Sequence, residues 1–112
     1  MRFTFVESAL FTLHAGKILD DGELAELQRF LLENPESGNV MPGCGGVRKI
    51  RVALTAGGKG KRGGGRVIYL VVLRAARIHL LDVYAKSENE NIPAHLRKLI
   101  ADWAQVLKEE QQ

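Results

Sequence analysis

Residues 47–73 read VRKIRVALTAGGKGKRGGGRVIYLVVL. Val47 to Leu54 has the composition of a strand, with Lys49 and Arg51 on one face and Ile50 and Val52 on the other, because successive side chains alternate. Arg66 to Leu73 is a nearly continuous apolar run, as expected of a central strand covered on both faces. Between them, Thr55 to Gly65 holds six of the twelve glycines and reads as a basic loop. A short turn at Arg74–Arg77 leads to a third strand, Ile78 to Tyr84. Strict alternation puts Ile78, Leu80, Asp82 and Tyr84 on one side of it, and Lys86 keeps that parity if the chain stays extended. Connections this short favour antiparallel pairing of neighbours.

Charge is segregated around the same stretch. No Asp or Glu occurs from Ser37 to Leu81, while that window holds nine basic residues: Arg48, Lys49, Arg51, Lys59, Lys61, Arg62, Arg66, Arg74 and Arg77. The remaining seven basic residues face all thirteen acids, so the rest of the chain is net −6 beneath an overall +3. A field of one sign on part of a small domain favours a polyanionic partner. A solvated edge, or a surface for an acidic protein partner, is the plainer alternative.

Working outward, Phe3 to Val6 is short, aromatic and β-branched, and reads as a first strand. Ala9 to Leu19 fits a short helix loosely, with Gly16 weakening it. Asp20 and Glu23 stand in the capping-box relation, and Leu24, Leu27, Phe30 and Leu31 follow at helical spacing. Asn34-Pro35 stops that helix. Residues 35–46 read as a loop. Pro93 suits the first turn of a C-terminal helix, whose stripe is Leu96, Leu99, Ile100, Trp103 and Leu107. Leu24, Leu27, Phe30, Leu31, Leu96 and Trp103 are most simply core. The expected class is α+β: a small antiparallel sheet with two N-terminal helices and a C-terminal helix, packed on one face.

The 112 residues read as a single domain, residues 1–112, able to bury a core without metals or disulfides. Cys44 is the lone cysteine, which suits a reducing compartment. The longest apolar run, Val67–Leu73, is far short of the ~20 residues needed to span a bilayer. With no signal peptide in MRFTFVESALF, a cytoplasmic protein without membrane partners is expected. His14, His79 and His95 are scattered and lack ligand spacing, so no metal and no cofactor is expected. His79 reads as a packed or edge residue, His14 and His95 as surface. GGKGKRGGG lacks the GxxxxGK[ST] pattern and does not lead into a helix, which argues against a nucleoside-triphosphate site. A basic surface acting on a phosphodiester remains: Lys59, Lys61 and Arg62 on the loop, Arg66 fixed at the head of a central strand, Lys49 and Arg51 beside it. Tyr84 can stack on a base or bond a phosphate, or simply cap the core.

Three runs in order, ENPESGNVMPGCGGVRKIR from Glu33 to Arg51, GKRGGGRVIY from Gly60 to Tyr69, and YAKSE from Tyr84 to Glu88, resemble the RelE/ParE toxin superfamily. They are most similar to its HigB-like, RelE-type branch of type II toxin–antitoxin systems. The resemblance runs from Phe5 to about Trp103. It implies a RelE-like fold and a ribosome-dependent mRNA endoribonuclease (an mRNA interferase) that enters the A site and inhibits translation. It further implies a metal-independent reaction, with the RNA 2′-hydroxyl attacking the phosphodiester. The implied partners are the ribosome, mRNA and a HigA-like helix-turn-helix antitoxin.

Carried over position by position, the resemblance makes Arg66, Lys49, Arg51, Tyr84 and Lys86 the catalytic candidates. Arg48, Lys59, Lys61 and Arg62 become the RNA- or ribosome-binding ones. The RelE pattern has an arginine after the lysine, where this chain has Ser87. It also has a C-terminal tyrosine, where this chain has Asn91-Ile92-Pro93, so Tyr84 is the aromatic candidate. Fixed cations stabilise a pentacovalent transition state; Arg66 suits this because a guanidinium grips two oxygens. Lys49, Arg51 or Lys86 is the candidate base, since neighbouring cations favour a neutral lysine. A ParE-like gyrase inhibitor and a non-catalytic nucleic-acid-binding or regulatory module are the alternatives.

Overall fold

The computed structural model describes residues 2–54, 61–86 and 93–110, and for residues 61–63 the backbone alone. The order is β1 (Thr4–Glu7), α1 (Ala9–Ile18), α2 (Asp21–Glu33), β2 (Asn39–Val40), β3 (Arg48–Leu54), β4 (Lys61–Val72), a 3-10 turn (Leu73–Ala75), β5 (Arg77–Ala85) and α3 (Ala94–Glu109). Both N-terminal helices begin on side-chain caps. Ser8 Oγ accepts from Phe11 N–H at 2.9 Å, and Asp20 and Glu23 form a reciprocal capping box at 2.7 and 2.9 Å.

One sheet runs β1-β5-β4-β3-β2. β2 to β5 pair antiparallel, as the short connections require, but β1 lies parallel to β5. The sheet is therefore mixed, not purely antiparallel. The first strand fills the free edge of the last, and two helices separate it from any neighbour in sequence. β4 also begins at Lys61, so the glycine-rich segment is strand from residue 61 onward. At Gly65 a β-carbon would stand 2.8 Å from Leu54 Cγ. Glycine there lets β3 close onto β4.

The helices are not all on one face. α1 and α2 supply Phe11, Ala15, Leu27 and Leu31 to a core with Val67, Tyr69, Ile78, Leu80 and Val83. The other face carries Met41, Cys44 and Val47 from the loop, Ile68, Leu70, Val72, Leu81 and Tyr84 from the sheet, and Ala104 of α3, flanked by Ile100, Trp103 and Leu107. β4 feeds both cores by alternation, which is why its stretch Val67–Val72 is apolar throughout. Gly45, at φ +71°, lets the loop press against α3; a β-carbon would lie 3.2 Å from Ala104 Cβ. Phe30 and Leu96, expected in the core, are exposed, because each sits on the outer flank of its helix.

Two packing details generate predictions. Gly38 N–H donates to the buried Tyr69 hydroxyl at 2.9 Å, and a β-carbon at Gly38 would fall 2.8 Å from that oxygen and 3.0 Å from Lys49 O. Neither neighbour can retreat, so Gly38→Ala should lower stability by about 1–3 kcal/mol, read as a shift in urea midpoint. His79 is buried beneath α3, and its Nε2 has no hydrogen-bond partner among the described residues. Burial, then the Arg77 guanidinium, holds its pKa below the ordinary 6.5, against an opposing pull from Glu110. The unfolded chain therefore binds a proton that the folded chain resists. This contribution is full above about pH 6.5 and is lost as pH falls toward the folded-state pKa. Urea midpoints of His79→Leu should change less between neutral pH and pH 5 than those of the parent.

Candidate functional site

The site is built by register. β3 and β4 pair Lys49 with Ile68 and Arg51 with Arg66; β4 and β5 pair Arg66 with Tyr84. Directly opposed residues project to the same face, with β-carbons about 4.5–5.5 Å apart. Arg51, Arg66 and Tyr84 therefore form a row across three strands, and Lys49 lies one position along on the same face. It is the face of α3. Opposed like charges such as Arg51 and Arg66 destabilise a sheet, so stability alone does not account for the pair.

A β-bulge makes the row possible. Tyr69 pairs with Leu80, but Ile68 pairs with Asp82, so Leu81 is an extra residue in β5. Strict alternation would have kept Tyr84 with Ile78 and Leu80. Those two instead join the α1/α2 core, while Tyr84 joins the α3 face. Two adjacent leucines in a strand, Leu80-Leu81, are the sequence signal of that change of face.

Arg66 is only 7% exposed, and its Nη1 donates to Gly65 O at 3.0 Å. Tyr84 is 6% exposed, while Arg51 is exposed and Lys49 half-buried. Lys86 is exposed just past the end of β5, where its N–H donates to Gly64 O at 2.8 Å. The strand ends at Ala85, so Lys86 sits in a turn and does not continue the extended parity.

Arg48 is elsewhere. It pairs with Tyr69 and so faces α1 and α2, across the sheet from Lys49 and Arg51. Its Nη1 donates to Glu36 O at 2.9 Å and Gly38 O at 2.8 Å. These bonds staple the 36–38 segment to β3, and the structure does not bring Arg48 together with the row. Lys59 lies outside the described residues, and Lys61 and Arg62 are described only as backbone of β4.

Sequence reasoning passed over the groove beside the row. It lies between α1, β5 and α3, with a volume of about 290 Å³, and Tyr84, Ile68, Trp103 and Leu99 line it. Asp82 lines it too, with Oδ1 2.7 Å from His14 Nδ1 and accepting from Val83 N–H at 2.8 Å. His14 is thus a bonded partner, not a plain surface residue. The signal was available: Asp82 is the first acid after the long acid-free window.

Among the described residues no three of His, Cys, Asp and Glu are grouped to hold a metal ion. Cys44 is buried, and burial raises its thiol pKa, with Arg97 pulling the other way. No helix among the described residues is long and apolar enough to cross a membrane.

No family model matches the chain. Its fold is similar to that of the E. coli toxin RelE, solved in the free state as a double arginine-to-alanine mutant, with a TM-score of 0.56. The chain has a RelE-like fold. The likeness covers 80% of this chain and 90% of that one at 18% identity. At that identity it is a statement about architecture, and function must be argued from the site.

Arg48→Ala should act on the fold, since removing it leaves two loop carbonyls without their charged donor. A loss of about 1–3 kcal/mol is expected, measured by urea denaturation. Arg51→Ala, on the exposed part of the row, should lose little stability.

Proposed function

We propose that this chain is the toxin of a type II toxin–antitoxin system, of the HigB-like, RelE-type branch, and that it cleaves mRNA in the ribosomal A site. The observation that supports this reading is the row Arg51–Arg66–Tyr84, with Lys49 beside it, on one face of a RelE-like sheet. Cations on the two neighbouring strands β3 and β4 share that face, with the Tyr84 ring opposite Arg66 on β5, an arrangement suited to a phosphodiester.

In the reaction, the 2′-hydroxyl gives its proton to a base and attacks the adjacent phosphorus. The bond from phosphorus to the 5′-oxygen breaks, and that oxygen takes up a proton. The products are a 2′,3′-cyclic phosphate and a 5′-hydroxyl. Negative charge grows on the non-bridging oxygens between these states. Arg66 is assigned to those oxygens, because a guanidinium anchored to its own strand by Gly65 O keeps its direction while charge develops. Lys49 and Lys86 are the candidate proton acceptors, Arg51 a second cation for the developing charge, and Tyr84 the aromatic that orients the substrate. The low exposure of Arg66 means that the cover of this face must shift before a phosphate reaches it. The ribosome and mRNA supply that binding energy, and they also align the 2′-hydroxyl for in-line attack. A HigA-like helix-turn-helix antitoxin is the proposed neutralising partner, and the cytoplasm the place of action.

Arg66→Ala should abolish growth arrest while the protein still folds and binds its antitoxin; removing one preorganised charge contact from a transition state costs about 10²–10³ in rate. Primer extension on mRNA after induction is the direct measurement. Codon-phased cuts that vanish in Arg66→Ala support the reading. DNA breaks with intact mRNA indicate a ParE-like gyrase poison, and neither lesion indicates a binding module. Equal toxicity of variant and parent at matched expression removes Arg66 from its role.

A further inference from the structure

We infer that the groove next to the cationic row is a nucleobase pocket that selects a base carrying an exocyclic amine. Its position comes first. Tyr84 belongs both to the row and to the groove wall, and Ile68, two residues beyond Arg66 on the same face of β4, forms another part of that wall. A phosphate held at Arg66 therefore has the groove as its neighbour, within reach of an adjoining nucleotide.

The lining comes second. Tyr84 and Trp103 supply aromatic faces, and Leu99 and Ile100 an apolar wall, around about 290 Å³. Unstacked bases are held by such surfaces. The single acid comes third. Among the described residues Asp82 is the one charged residue lining the groove, and its two close contacts there, His14 Nδ1 and Val83 N–H, both fall on Oδ1. The carboxylate is thereby fixed, and Oδ2 is left as an acceptor. An acid here repels a phosphate backbone but accepts a hydrogen bond from a base amine, as in carboxylate recognition of cytosine. Uracil has carbonyl oxygens on both sides of its ring N–H and is disfavoured. An apolar side chain of a protein partner would desolvate the carboxylate without giving it a donor, so the base is the better occupant.

Trp103 is the sole tryptophan, and its fluorescence reports the pocket directly. The probes are 5′-AMP, 5′-CMP, 5′-UMP and ribose 5-phosphate at millimolar concentration. AMP and CMP should quench the emission, UMP less, and ribose 5-phosphate not at all. Asp82→Asn should reduce the preference for AMP over UMP by about tenfold, the order of one hydrogen bond to a charged group. Leu99→Ser, at an exposed wall position, should weaken every nucleotide alike, with far-UV circular dichroism confirming that both variants fold. Quenching by none of the nucleotides overturns the inference and leaves the groove to an apolar protein segment. So does equal quenching by ribose 5-phosphate, or an unchanged base preference in Asp82→Asn.

The inference rests on the proposed function only in taking its ligand from an RNA strand. Nucleotide quenching without mRNA cleavage keeps the pocket and removes the nuclease; mRNA cleavage without quenching does the reverse.

Discussion

The pairing of β4 with β5 is the constraint on which the rest depends. One extra residue, Leu81, shifts the register between Tyr69–Leu80 and Ile68–Asp82. On the N-terminal side of the bulge, Ile78 and Leu80 serve the α1/α2 core. Beyond it, Tyr84 faces α3 and stands opposite Arg66. A strand pairs with period two, so a single inserted residue moves everything after it to the other face. Both apolar cores are satisfied by this arrangement, and burial on both faces is what holds the bulge in place.

The same register imposes a local conflict. Arg51 and Arg66 are directly opposed, and Lys49 lies close by on their face. Cross-strand pairs of like charge weaken a sheet, and Arg66 is also largely removed from water. The surroundings answer this in two ways. Gly65 allows β3 and β4 to close tightly against Leu54, and Gly65 O accepts from the Arg66 guanidinium. Such a conflict in an otherwise consistent fold is what marks the row as a candidate site.

The proposed site and the α3 core share one face of the sheet. α3 contributes Ala104, Trp103 and Leu107 to the core on the face that carries the row. Yet the start of the same helix leaves Leu96 and Leu99 exposed along the groove. The helix thus packs through Ala104, Trp103 and Leu107 in its C-terminal half and leaves the apolar residues of its N-terminal end exposed. Asp82 and His14 tie the opposite wall of that groove to α1. The candidate site therefore has paired strands beneath it and a partly exposed helical wall above it.

The sequence by itself determined most of the elements, though not β2, read as loop, or the start of β4 at Lys61. Alternation marked β3, the double-sided apolar run marked β4, the Asp20–Glu23 box opened α2, and the acid-free window held the cations of the row. These are local signals, carried by propensity and periodicity over a few residues. Three things were decided only in three dimensions. β1 joined β5 in parallel, because the free edge it fills is created by strands that come seventy residues later. α3 packed on the face opposite α1 and α2, because β4 offers apolar side chains on both sides and nothing local says which a helix will take. Arg48 went to the loop while Lys49 and Arg51 went to the row, and Tyr84 reached that row only through the bulge. Which side chains meet depends on register, and register is set by the simultaneous burial of both faces, a property of the whole sheet that no short stretch contains.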